Sequence, residues 1–181
     1  MEEVQLNGGY DNEGVIWHQH SNHLLIKLME LLPKETPIID IGCGHNFYVN
    51  VLNYCGWKSI GVDAADLGSK HFKKADVTKP IKIKGTHNVI SFEVGEHIPL
   101  DLCDAYIDNL CAFNGDVIVS WAIEGQKGIG HINCQNNEWV IAQFNKRGYI
   151  LHEDKTNELR SCVQNCHCNW FKNNLMYFTR L

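Results

Sequence analysis

Asp40 stands near the end of an apolar run, Pro37-Ile38-Ile39-Asp40-Ile41, that opens into Gly42-Cys43-Gly44-His45-Asn46. An acid leading into bare backbone lets a ligand lie on the main chain beside a carboxylate, with the N–H groups of the following helix aimed at it. Dinucleotide sites read G-x-G-x-x-G. The shorter D-x-G-x-G here sets Asp40, Gly42, Cys43 and Gly44 around a nucleotide-like ligand that carries an amine, with Cys43 contributing backbone rather than sulfur. Asp63, followed by Ala64, closes a second apolar run 23 positions after Asp40, near the spacing of about 20 at which an acid accepts from two ribose hydroxyls. Further on, the loop 121–133 begins at Trp121 and holds three glycines together with Glu124, Gln126, His131 and Asn133. Its glycines allow it to fold back over a pocket, and its polar groups suit recognition of hydroxyls.

These residues must be carried by an alternating set of elements. Apolar residues at Leu24, Leu25, Leu28, Leu31 and Leu32 follow helical spacing and Pro33 stops them, so a helix over 17–32 precedes the first strand. Strands are expected over 38–41, 59–62, 72–74, 87–92, 116–121, 149–152 and 174–180, with helices over 47–55, 100–113 and 136–147. No full helix fits before the strand at 87–92. The polar, cysteine-rich stretch 157–170 is a loop or a helix packed beside the site. Strands alternating with helices predict an α/β fold, a mostly parallel sheet covered on both faces, with ligands at the strands' carboxyl ends near the switch point. The acid and glycine motifs fall at those ends.

At 181 residues the chain is expected to form a single domain over 1–181, with residues 1–33 as a helical segment covering the ligand site. No apolar stretch approaches the roughly 20 residues of a membrane span, and no signal peptide is recognised. Eight scattered cysteines read as reduced thiols of a cytoplasmic protein, without a disulfide framework. The net charge of −5 gives no general attraction for phosphate backbones, and Lys70–Lys84, interrupted by Asp76, reads as a solvated face, so no nucleic-acid or membrane partner is expected. His18, His20 and His23 cannot share one helix face, and Cys162, Cys166, His167 and Cys168 lack the C-x-x-C spacing of structural zinc. No metal ligands are assigned, the carboxylate cluster of a catalytic magnesium is not evident, and metal dependence stays open. No feature of the sequence sets an oligomeric state.

The D-I-G-C-G run resembles motif I of class I S-adenosylmethionine-dependent methyltransferases, and Val89-Ile90-Ser91-Phe92-Glu93-Val94-Gly95-Glu96-His97-Ile98-Pro99 resembles their motif IV. The resemblance implies a Rossmann-like, seven-stranded sheet with an antiparallel last strand and S-adenosylmethionine as cofactor, leaving as S-adenosylhomocysteine. It places Asp40 at the methionine end, Asp76 and the backbone of Val77 at the adenine, and Ser91 and Phe92 along the pocket. Phe92 or Trp17 then offers an aromatic face to the sulfonium. A hydroxyl acceptor must lose a proton, and an imidazole of ordinary pKa, about 6.5, is the usual base. His131 is the first candidate, His97 competes with it, and Glu93 orients a histidine or the acceptor. The loop 121–133 together with the E-V-G-E-H-I-P element is similar to compact methyltransferases of viral and bacterial polysaccharide pathways. That implies O-methylation of a sugar hydroxyl, a deoxyhexose such as rhamnose being one case, on a small molecule or glycan, with Trp121, Glu124, Gln126 and Asn133 binding the acceptor. Two rivals stay open: a methyltransferase for phenolic or quinone-like small molecules, and a cofactor-binding partner subunit without turnover.

Overall fold

Ser21 starts the first helix by accepting a hydrogen bond from the Leu24 N–H, which satisfies one of the donors that a helix start leaves open. The computed structural model describes residues 19–65 and 68–181. Trp17 and His18, and with them the expected start of this helix, lie outside the described residues. The elements are α1 (Asn22–Leu31), β1 (Ile38–Ile41), α2 (Phe47–Tyr54), β2 (Ser59–Asp63), β3 (Phe72–Lys74), β4 (His87–Ser91), α3 (Cys103–Cys111), β5 (Asn114–Ser120), α4 (Asn137–Asn145), β6 (Tyr149–Leu151), α5 (Glu153–Cys162), α6 (Phe171–Asn174) and β7 (Leu175–Arg180). Two differences from the sequence pattern matter for the site. The helix expected over 100–113 is preceded and shortened by single 3-10 turns at Gly95–His97 and Leu100–Leu102. The stretch 157–170 is divided between the end of α5 and a run of turns.

The seven strands form one sheet in the order β3-β2-β1-β4-β5-β7-β6. β1 pairs parallel with β2 and β4, and β7 runs antiparallel to both β5 and β6. The order reverses between β1 and β4, so their carboxyl ends splay into a crevice. Side chains alternate across the sheet. Ile39, Ile41, Val89, Val117 and Val119 face the layer holding α3 and α4, whereas Ile38, Ile90, Ile118 and Tyr177 face α1, α2 and α5. Every residue of β1 is buried. Each fully buried aliphatic chain contributes roughly 1.5–3 kcal/mol, and Asp40 is carried into this interior by its neighbours. Among the described residues no helix is long and apolar enough to cross a membrane.

The connection from β3 to β4 has no helix of its own, as its sequence pattern predicts, and it is tied down by one side chain. Asn109 of α3, buried, accepts from the Ile81 N–H at 2.9 Å and donates to the carbonyls of Val77 at 2.7 Å and Lys79 at 2.8 Å. Asn109→Ala leaves these groups unmatched and is expected to cost about 2–4 kcal/mol, read from urea denaturation; a loss below about 0.5 kcal/mol would show that water replaces the amide without penalty.

Candidate active site

Gly42 makes the turn after β1 at φ +79°, and a Cβ there would lie 2.3 Å from a methyl of Val94. The glycine thus serves both a left-handed backbone and the close approach of the next loop. Asn46 takes φ +62° to open α2. Beside this turn Asp40 is 2% exposed, and its Oδ2 has no hydrogen-bond partner. Burial, and secondarily the Asp63 carboxylate, push the Asp40 carboxyl up to about 8 from the ordinary 3.8. A buried acid with an open oxygen fits a ligand ammonium.

A cavity of about 490 Å³ begins at Asp40, Gly42 and Cys43 and ends at Glu93, His97, Gln126 and His131. That volume lies within the range of about 300–1,000 Å³ typical of small-molecule sites. Its wall is aromatic: Phe92 meets Tyr48 edge-on at 5.4 Å and Phe171 at 6.1 Å, and His20 stacks on Phe47 at 3.6 Å. Burial, then His167 and His45, hold the His20 imidazole below its usual range, which keeps that face uncharged. Of the segment 1–33 expected to cover the site, residues 19–33 are described, and Gln19 and His20 line the cavity.

The far end is built on Glu93, which follows β4 with φ +55°. A left-handed non-glycine residue costs about 1–2 kcal/mol, and here the cost is met by a net of hydrogen bonds. Glu93 N–H donates to Ser120 Oγ at 2.7 Å, while Ser120 Oγ at 2.8 Å and Asn174 Nδ2 at 2.9 Å donate to Glu93 Oε1. Gln126 Nε2 donates to Oε2 at 2.9 Å. Burial raises the Glu93 carboxyl pKa, and these donors together with His131 partly oppose it. Glu96 is wholly buried, and burial followed by the neighbouring Glu93 raise it well above the carboxylate range. His131 lies with Nε2 3.9 Å from Glu96 Oε1. Its ring packs so closely on Gly128 that a Cβ there would sit 2.1 Å from Nε2.

The loop that supplies His131 is stitched to the turn below it. The N–H groups of Ile132 and Asn133 donate to the Glu96 carbonyl at 3.0 and 2.9 Å. Those contacts and the core decide which loop residues face the cavity, and of the four residues expected to bind an acceptor Trp121, Glu124 and Asn133 lie off its lining. Trp121 is 1% exposed, packs edge-on against Tyr106 and Trp139, and donates Nε1 to the Asn133 carbonyl. Asn133 is buried beneath the 3-10 turn, donating to Ile98 O and Cys103 Sγ at 2.9 Å each. Glu124 is exposed and lies away from the cavity lining. Gln126 alone of the four lines the cavity.

Several cofactor assignments likewise lie off this cavity. Ser91 is buried, its Oγ donating to the Ile41 carbonyl at 2.5 Å and sharing a 2.7 Å bond with the Tyr106 hydroxyl, so it fastens β4 to β1 and α3. Asp63 accepts from the N–H of Gly44 at 2.9 Å and of Ala65 at 3.1 Å, which locks the glycine turn against the end of β2 while Ala64 is half-buried beside it. Asp76 accepts from the Thr78 N–H and hydroxyl and pairs with Lys79, capping a turn in which Val77 is buried. All eight cysteines are free thiols, and burial raises the Cys43 thiol far above its usual range. Two features carry no signal in the sequence: an acid beside a histidine shows nothing of the burial of Glu96, and the aromatic wall of Phe47, Tyr48 and Phe171 is assembled from two helices far apart in the chain.

No family model matches the chain, and no curated protein matches it in sequence. The strand order, with β7 antiparallel between β5 and β6, gives a Rossmann-like fold similar to that of solved S-adenosylmethionine-dependent methyltransferases. A TehB-like S-adenosylmethionine-dependent methyltransferase from Corynebacterium glutamicum is similar with a TM-score of 0.63 at 14% identity, over 94% of this chain and 93% of that one. The magnesium protoporphyrin IX methyltransferase of Synechocystis, solved with bound S-adenosylhomocysteine, gives 0.57 at 17% identity over 77% and 74%. A putative methyltransferase from Bacillus halodurans gives 0.58 at 12% over 85% and 93%. The likeness is one of fold.

The Asp40 environment yields a pH signature. The folded chain keeps the Asp40 proton up to about pH 8, whereas the unfolded chain releases it near 3.8, so this group's contribution to stability is full below about pH 4 and is lost as the pH rises to about 8. Asp40→Asn removes that loss. The stability gap in favour of the variant is expected to widen between pH 5 and pH 8 to a few kcal/mol, measured by denaturation at each pH; a gap independent of pH would place Asp40 in contact with water.

Proposed function

We propose that the protein is an S-adenosylmethionine-dependent O-methyltransferase whose acceptor is a sugar hydroxyl, in a glycan or its precursor. One observation carries this reading: a single cavity joins the Asp40 carboxyl, whose Oδ2 has no partner among the described residues, to the half-buried Glu93 and His131 and the buried His97, with an aromatic wall between them. When bound, S-adenosylmethionine supplies an electrophilic methyl on a sulfonium. Asp40 would take the cofactor's ammonium, Gly42 to Gly44 would lie under its chain, and Asp63, beside the cavity rather than on its lining, would accept, through the lone pairs left over from its two backbone bonds, from a ribose that extends past the glycine turn. Phe92 and Tyr48 would face the sulfonium, an attraction worth about 0.5–2 kcal/mol per ring.

At the opposite end the residues would hold the acceptor in line with the methyl, the arrangement from which most of the acceleration comes. The oxygen–methyl bond forms as the methyl–sulfur bond breaks, and the hydroxyl proton must leave. His131, with its ring held by Gln126, and the neighbouring His97 and Glu93 are the groups placed to draw it away. The neutral hydrogen-bonding character of Gln126 and the imidazoles supports a polyol acceptor. A second reading, a planar phenolic acceptor, is favoured by Ile129 and Ile132 on the same loop, 63% and 62% exposed.

Incubation with methyl-labelled S-adenosylmethionine and parallel panels of glycosides and phenols, with products read by mass spectrometry, tests the reading. Label is expected in a glycoside. His131→Ala should keep S-adenosylhomocysteine affinity within about threefold while turnover falls by about 10²–10⁴. Label confined to phenols selects the second reading, and tight S-adenosylhomocysteine binding with no transfer to any acceptor identifies a non-catalytic subunit.

A further inference from the structure

Glu96, His97 and His131 are arranged more tightly than acceptor recognition alone requires. One carboxyl oxygen of Glu96 and one ring nitrogen of each histidine lie within 4.8 Å of one another. Among the described residues this is the one group of three or more His, Cys, Asp or Glu side chains whose donor atoms converge in this way. Glu96 is 0% exposed, and among the described residues neither carboxyl oxygen meets a donor in full hydrogen-bond geometry, although its own N–H, that of Ala122 and the Glu93 carboxyl face it. A buried acid so loosely held is costly unless a proton or a cation answers it.

The two rings are held alike. His97 Nδ1 lies 3.0 Å from the Gly130 carbonyl, and His131 Nδ1 lies 3.0 Å from the Gln126 carbonyl. A backbone carbonyl at Nδ1 selects the tautomer that carries its proton there and keeps the lone pair on Nε2, as in metal-ligating imidazoles whose other nitrogen is fixed by an outer partner. The rings meet edge-on with centroids 5.1 Å apart, so two such lone pairs can converge with the Glu96 oxygen. At metal–ligand bonds of about 2.1 Å, neighbouring donor atoms lie about 3 Å apart and opposed ones about 4 Å. The 3.9 Å from His131 Nε2 to Glu96 Oε1 is within that range, and ion binding would draw the three donors, now within 4.8 Å of one another, closer together.

We propose that Glu96, His97 and His131 bind one divalent first-row transition cation at the acceptor end of the cavity. Two imidazoles and one carboxylate gathered on one side of an ion leave its remaining positions open to oxygen ligands. His97 and His131 line the cavity, so those positions face the space proposed for the acceptor. With both imidazoles on the ion, a hydroxyl taking one of these positions is anchored and gives up its proton to water more readily, so in the loaded protein the ion replaces His97 and His131 as the means of drawing the proton away. The proposal rests on the transferase reading only for this use of the ion; the binding itself does not.

Metal-stripped full-length chain, titrated calorimetrically with Mn²⁺ and with Zn²⁺ and counted by Mn²⁺ paramagnetic resonance, tests it. One ion per chain is expected. Glu96→Gln, which keeps the shape and removes the charge, and His97→Ala and His131→Ala should each weaken uptake by at least about tenfold, with thermal melting confirming the fold of each variant. S-adenosylhomocysteine affinity, set at the Asp40 end, should change less than about threefold in the same samples. Wild-type protein that takes up neither ion, or uptake that survives all three substitutions, overturns the site. S-adenosylhomocysteine binding without uptake removes the metal site and leaves the transferase reading standing. Uptake lost in the three variants supports the site even where S-adenosylhomocysteine fails to bind, in which case the transferase reading falls instead.

Discussion

A carboxyl taken out of water resists ionisation and destabilises the chain that buries it unless a cation or a set of donors answers the charge. Three such groups, Asp40, Glu93 and Glu96, stand along the carboxyl edge of one sheet, each raised above the usual carboxylate range by its burial. Glu93 is answered by Ser120, Gln126 and Asn174, whereas among the described residues Asp40 Oδ2 and the Glu96 oxygens meet no donor in full hydrogen-bond geometry. The rest of the site follows from this imbalance: the cavity runs from one such acid to the neighbourhood of the other, and a ligand ammonium fits its Asp40 end.

The edge can bear this load because backbone bonds made elsewhere hold it open. β1 and β4 carry Asp40 and Glu93 out of a sheet whose two faces are fully packed, and the reversal of strand order between them leaves a gap that no helix fills. Asp63 fixes the glycine turn from one side. From the other, the loop after β5 is tied to the Glu96 carbonyl by two N–H groups and to His97 through Gly130. That loop therefore has a fixed pose without any secondary structure, and His131 is delivered to the cavity by its main chain rather than by a helix or strand.

The order of strands and helices was legible in the sequence because Pro33, Gly148 and the acids after β1 and β2 mark where periodic segments stop. Asp40, Gly42, Cys43, Phe92, Glu93 and His97 come to the one cavity because each lies at or just beyond a strand's carboxyl end, where position in the chain dictates position in the fold; Gln126 and His131 reach it by the loop after β5. Trp121, Glu124 and Asn133 could not be sorted in the same way. An aperiodic loop gives no facing rule, and there the outcome turned on which backbone donors found the Glu96 carbonyl and on how a large indole filled the core beside Gly95. The burial of Glu96 was hidden for a related reason: the 3-10 turn that carries it interrupts the helical pattern expected to start nearby.

A crystal structure of the chain with S-adenosylhomocysteine bears most directly on this account. The amino group of the ligand should lie within hydrogen-bond distance of Asp40, with its sulfur against Phe92 and facing the end of the cavity lined by Glu93 and His131. A ligand whose amino group lies away from Asp40, or whose sulfur points away from that end, would contradict it.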